Sequence, residues 1–190
     1  MSGRPFCSQA QLALPDWVAL EVDFARRYPD DMSQMTLAIT LAQRNVEQQT
    51  GGPFGAAIFA GDGQVVAVGV NRVVAESCSL AHAEIMAFIT AQTRLQQFRL
   101  NANGGRYTLA TSAQPCCQCY GASFWAGIDV LLIGARSADV HELTEFDEGP
   151  LPEDWAGELT RRGIAVRQDV LREPARAVLA AYRDRGGANY

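Results

Sequence analysis

The chain has 190 residues, 48% hydrophobic and 19% charged, a composition that fits one soluble globular domain and excludes disordered, fibrous and disulfide-dense classes. Its formal net charge of −5 offers no clustered basic footprint for a phosphate backbone, so nucleic acid is not an expected partner. No segment reaches transmembrane length, and a membrane is not an expected partner either.

The opening stretch, MSGRPFCSQAQLALPDWVALE, has an apolar run too short for a secretory signal and broken by Pro15. Residues 1–34 read as an N-terminal extension to which the sequence assigns no role, and residues 35–190 as a single domain. From Met35, MTLAITLAQRNVEQQ has helical periodicity and stops at the breaker pair Gly51 and Gly52. FGAAIFAGDGQVVAVGVNRVV then reads as two strands joined at Gly61, Asp62 and Gly63, glycines tolerating the positive φ of a tight turn. Residues 81 to 97 return to a helical pattern, and RYTLATS reads as a third strand. CCQCYGASFWAGI is predicted helical, with Pro115 at the first helical position, where its missing N–H costs nothing. The unbroken apolar run VLLIGA reads as a buried strand. LPEDWAGELTRRG, IAVRQDV and EPARAVLAAYRDRG follow as helix, strand and helix. Strands separated by helices of this size predict an α/β fold, a mainly parallel sheet covered on both faces.

Five cysteines is an odd number, and three of them crowd into PCCQC at 115–119, which suits metal or redox chemistry in a reducing cytoplasm better than a disulfide framework. Cys116 and Cys119 lie one helical turn apart, so both sulfurs can reach one ion. His82, in the apolar run LAHAEIMAF, is the natural third ligand, and two thiolates with one imidazole leave the fourth tetrahedral position of zinc open. Glu84 beside it is placed to take and return a proton. HAE at 82–84 paired with PCCQC, each at the start of a helix after a strand, matches the zinc-deaminase signature. Three other readings compete. The cysteines can be buried small hydrophobes, which leaves His82 and Glu84 unexplained in an apolar run. A closed structural zinc site needs a fourth ligand from Cys78, Cys117 or His141. A CxxC redox protein leaves Glu84 without a role.

In the stretches GGPFGAAIF, GVNRVV, AHAEIMA, TSAQPCCQCYGASFWAG and FDEGP the chain resembles the cytidine deaminase-like superfamily and, within it, the bacterial guanine deaminases. The resemblance implies a three-layer α/β/α fold with a central mixed five-stranded sheet, one catalytic Zn2+ per chain, and a homodimer in which the C-terminal segment can swap onto the partner. It places zinc on His82, Cys116 and Cys119, with Glu84 as proton shuttle. Asn71 and the backbone N–H of Ala83 would hydrogen-bond the base, and Phe54 and Trp125 would form apolar walls. In EFDEGP, Glu148 would accept from the N–H edge of the base or move a second proton, with Asp147 as its nearest rival; a run of acids is otherwise a solvated face. Tyr190 would dock over a neighbouring site. The chain carries Gln114 where the family commonly has glutamate before the Pro-Cys pair. The implied reaction is zinc-dependent hydrolytic deamination of a free nucleobase, guanine to xanthine and ammonia. Cytosine, a nucleoside or another amino-heterocycle such as a triazine is the alternative substrate, and a zinc-stabilised binding module without turnover the alternative of another class.

Overall fold

The computed structural model describes residues 8–189. Helices α1 (Trp17–Glu21) and α2 (Asp31–Glu47) precede the hairpin of β1 (Gly55–Ala60) and β2 (Val65–Val70). Next come α3 (Val73–Glu76), α4 (Ala83–Leu95), a 3-10 turn at Leu100–Asn103 and β3 (Tyr107–Ala113). The chain continues through α5 (Cys117–Ala126), β4 (Val130–Ala135), α6 (Ser137–Leu143), α7 (Trp155–Arg161), β5 (Ala165–Arg167) and α8 (Arg172–Asp184).

The five strands form one sheet in the order β2-β1-β3-β4-β5. β1 is antiparallel to both of its neighbours, while β3 with β4 and β4 with β5 pair in parallel. Four strands therefore run one way and β1 alone runs against them, because a tight hairpin can join β1 to β2 only in antiparallel fashion. In that turn Gly63 has φ +80° and its N–H donates to the Ala60 carbonyl at 2.9 Å.

Period-two alternation sends successive side chains of the central strands into two separate cores. Phe59 and Leu132 join Met35, Leu41 and Leu179 on the α2/α8 side. Ile58, Leu131 and Ile133 join Phe88 and Leu159 on the α4/α7 side. This is the expected three-layer α/β/α fold, and it explains why VLLIGA is apolar without interruption. Each hairpin strand carries a glycine where a helix approaches closely. A Cβ on Gly55 would lie 2.3 Å from the Ala38 carbonyl oxygen of α2, and one on Gly69 would lie 2.0 Å from the Ala83 carbonyl oxygen of α4.

Helix α2 starts before the expected Met35. Asp30 caps it by accepting from the Ser33 N–H at 2.7 Å, while Ser33 Oγ accepts from the Asp30 N–H at 3.3 Å. The residues upstream share the α2-side core: Val18, Val22 and Tyr28 are buried in it, and the Trp17 indole donates to Thr50 Oγ1 at 3.0 Å. Among the described residues no helix is long and apolar enough to cross a membrane.

Candidate active site

Because β1 is reversed, its first residues meet the last residues of both neighbours: Gly55 pairs with Val70, and Ala56 with Thr111. Phe54, Asn71, Ala113 and Gln114 thus gather at one end of the sheet, where α4 and α5 also begin. A cavity opens there, lined by these four residues together with His82, Ala83, Glu84, Cys116, Phe146, Asp147 and Glu148.

His82 occupies the N-cap of α4 in extended backbone (φ −69°, ψ 157°) and makes no side-chain cap bond, which leaves its ring free to ligate. Cys116 likewise caps α5. Pro115 therefore precedes the cap and does not fill the first helical position, a correction to the expected helix start; the turn from Cys116 to Cys119 is kept. His82 Nδ1 lies 3.4 Å from Cys116 Sγ and 3.7 Å from Cys119 Sγ, and the three ligand atoms fall within 4.8 Å of one another. Tetrahedral zinc with bonds of ~2.3 Å to sulfur and ~2.0 Å to nitrogen puts those atoms roughly 3.6 Å apart, so the donor set fits the ion. Among the described residues no other group of three such side chains converges this way. Neither Cys78, Cys117 nor His141 joins the cluster, which removes the closed structural site; Cys117 is exposed, its sulfur against Gly149.

Electrostatics favours ligation at Cys116. The hydrogen bond from Cys119, helped by His82, holds the Cys116 thiol down to about 4, a ready thiolate. The same bond, with burial, pushes Cys119 upward. Burial opposes charge on His82, but the Cys116 hydrogen bond and the acids Glu84 and Glu148 outweigh it and raise its pKa.

Glu84 sits in the first turn of α4, 6% exposed. Its Oε2 accepts from the Cys119 thiol at 3.3 Å, and its Oε1 lies 3.2 Å from Thr111 Oγ1. Burial raises its pKa, with the Cys116 charge adding to the effect. Glu148 lies on the segment after α6 and lines the same cavity. Its backbone carbonyl accepts from the Cys117 N–H at 2.9 Å, and burial, followed by the Cys116 and Glu84 charges, pushes its carboxyl up to about 8. Phe146 and Glu148 turn inward while Asp147 between them is exposed, its Oδ1 accepting from the Gly149 N–H at 2.9 Å. An extended segment alternates in this way, and it separates Glu148 from its rival.

Asn71, 1% exposed, is held from two sides. Its Oδ1 accepts from the N–H groups of Gly52 at 3.4 Å and Val73 at 3.3 Å. Its backbone carbonyl accepts from Asn45 Nδ2 at 2.9 Å.

Trp125 is a correction. It is 72% exposed and does not line the cavity. Six residues beyond Cys119, it lies about 240° around α5 from that ligand, on another face of the helix. The second apolar wall is Phe146, whose ring meets Phe54 edge-on at 5.1 Å and stacks on Tyr182 at 6.0 Å. The reading of the sequence missed Phe146; an aromatic between the acids of EFDEGP was the available signal. Tyr190 lies outside the described residues.

Comparison with known proteins bears on the same site. The cytidine and deoxycytidylate deaminase zinc-binding region matches residues 29–135. A guanine deaminase of Bacillus subtilis is 34% identical over 136 residues, covering 72% of this chain and 83% of that protein. The solved guanine deaminase from Nitrosomonas europaea superposes with a TM-score of 0.88 at 38% identity, covering 95% of this chain and 100% of the other. A solved complex with 2,6-diaminopurine superposes with a TM-score of 0.87 at 40% identity, covering 95% of each chain. With His82, Cys116 and Cys119 forming its zinc-binding site, the chain belongs to the cytidine and deoxycytidylate deaminase zinc-binding family.

Proposed function

We propose that the protein deaminates guanine hydrolytically: water replaces the 2-amino group, giving xanthine and ammonia. The observation that carries this reading is the pair of water-shielded carboxyls, Glu84 and Glu148, facing one cavity beside a three-ligand zinc site. The likeness to guanine deaminases over most of the chain supports the choice of base.

When bound at His82, Cys116 and Cys119, zinc supplies Lewis acidity and lowers the pKa of water toward ~7. Glu84 is the catalytic base and acid: it takes a proton from the attacking water, gives it to a ring nitrogen, and completes the protonation of the departing amine. Its raised pKa suits a carboxylate that must accept a proton as well as release one. Asn71 Nδ2 and the Ala83 N–H, free in the first turn of α4, donate to acceptors on the base. Phe54 and Phe146 hold the ring plane. Glu148, its carboxyl raised by burial, accepts from the N–H edge of the base when ionised or passes a proton to the amine when protonated. Asp147 borders the mouth and orders the turn through Gly149. A homodimer working in the cytoplasm completes the reading: Leu80, Ile89 and Trp125, on or beside the ligand-bearing helices, expose apolar surface for a second copy.

Ammonia release by the zinc-loaded protein from guanine, cytosine, cytidine, adenine and an aminotriazine tests the reading. Guanine is expected to react fastest. An inert guanine beside a reactive cytosine or triazine would transfer the same chemistry to another amino-heterocycle.

A further inference from the structure

The cavity holds two primary amides, and both are locked in orientation. Gln114, 8% exposed, follows β3 and keeps its backbone in the sheet, its N–H donating to the Ala135 carbonyl at 2.8 Å. Its side-chain Oε1 accepts from the Ser137 N–H at 3.3 Å. A backbone N–H can only donate, so the amide oxygen must face Ser137; flipping the group would set two donors against each other. That leaves the Nε2 amine, which makes no hydrogen bond to any described residue, as the polar group this cavity-lining side chain can offer a ligand. Asn71 obeys the same logic, its Oδ1 taken by Gly52 and Val73. The same cavity is lined by the carboxyls of Glu84 and Glu148, so it offers amide donors as well as acids.

We propose that Gln114 is a specificity-determining residue whose Nε2 amine donates to the carbonyl oxygen of an oxopurine. The inference rests on the purine deamination reading above. A base with hydrogen at the 6-position covers the amine and leaves it unpaired, and a 6-amino group sets donor against donor; either is penalised because a polar group covered by ligand loses water without gaining a partner. The rigid attachment strengthens the discrimination, since Gln114 cannot turn its oxygen inward to accept from an amine without abandoning Ser137.

The test is a cycle between residue and ligand. Hypoxanthine, with a 6-carbonyl, and purine, with hydrogen there, are measured as competitive inhibitors of guanine deamination by the unaltered zinc-loaded protein, by Gln114→Met and by Gln114→Leu. The unaltered protein should bind hypoxanthine more tightly than purine, and that preference should shrink about tenfold in both variants, the order expected for one neutral hydrogen bond. A ratio of two inhibition constants on one sample is insensitive to the fraction of protein folded, so partial destabilisation of a variant leaves the result readable. A preference unchanged within about twofold in either variant, or absent from the unaltered protein, overturns the role of Gln114. Normal guanine turnover beside an unchanged preference sinks this inference alone, whereas guanine inert with the unaltered protein sinks the functional reading as well.

Discussion

Glu84 and Glu148 are both carboxyls withdrawn from water, yet their contacts assign them different duties. Glu84 touches Cys119 and Thr111 beside the ligand cluster, so its removal should stop chemistry without releasing the metal. Glu84→Ala is expected to retain zinc in metal analysis while ammonia release falls by about 10³-fold, within the usual span for general acid–base catalysis; comparable turnover in that variant would refute the assignment. Glu148 makes its own mark on stability. With its pKa raised from 4.5 to about 8, the folded metal-free protein holds a proton that the unfolded chain releases between those values, so this group's contribution is complete below pH 4.5 and drains away as pH climbs to 8. Urea titrations of metal-free protein at pH 5 and pH 8 should show a loss that Glu148→Gln lacks, at most about 1.4 kcal/mol for each pH unit per proton. Equal pH dependence in the two proteins would remove the buried carboxyl from the account. At this scale the metal ligands and Glu84 were legible because Cys116 and Cys119 lie one helical turn apart and HAE at 82–84 pairs with PCCQC in the zinc-deaminase signature. Trp125 was not, since α5 is apolar around much of its circumference and nothing in CCQCYGASFWAGI marks which face meets the cavity.

Among the elements, α4 has the tightest placement. Its first turn presses on β2 at Gly69, where any side chain would collide with the Ala83 backbone, the residue between His82 and Glu84. Gly69→Ala should therefore displace the end of the helix that carries a ligand and the proton shuttle. A stability loss of about 1–3 kcal/mol is expected from urea unfolding, with weakened zinc retention; unchanged values for both would mean that α4 is not seated by this contact. Most strands and helices could be read from periodicity and breakers. The start of α2 could not, because Asp30 and Ser33 form a reciprocal cap without the glutamate or glutamine that usually advertises one. Nor could the isolation of β1 as the reversed strand: β2 and β3 share β1 as neighbour, a choice made by tertiary packing and not by the local pattern.

For the molecule as a whole, the site is a product of topology. Reversing one strand brings Phe54, Asn71 and Gln114 to the same sheet end as two helix starts, and His82 meets Cys116 across 34 positions of sequence. The two cores that hold this arrangement are apolar and extend across both faces of the sheet, independent of the ligand cluster. Helical and sheet content should thus survive chelation, in contrast to small zinc modules that unfold without metal. The most direct trial of the account removes the ion and restores it while ammonia and xanthine are followed from guanine. One zinc per chain, activity lost on chelation with far-ultraviolet circular dichroism preserved, and activity regained on adding zinc is the expected result. Guanine turnover that continues in metal-free protein, or guanine left untouched by protein carrying its full zinc complement, would contradict it.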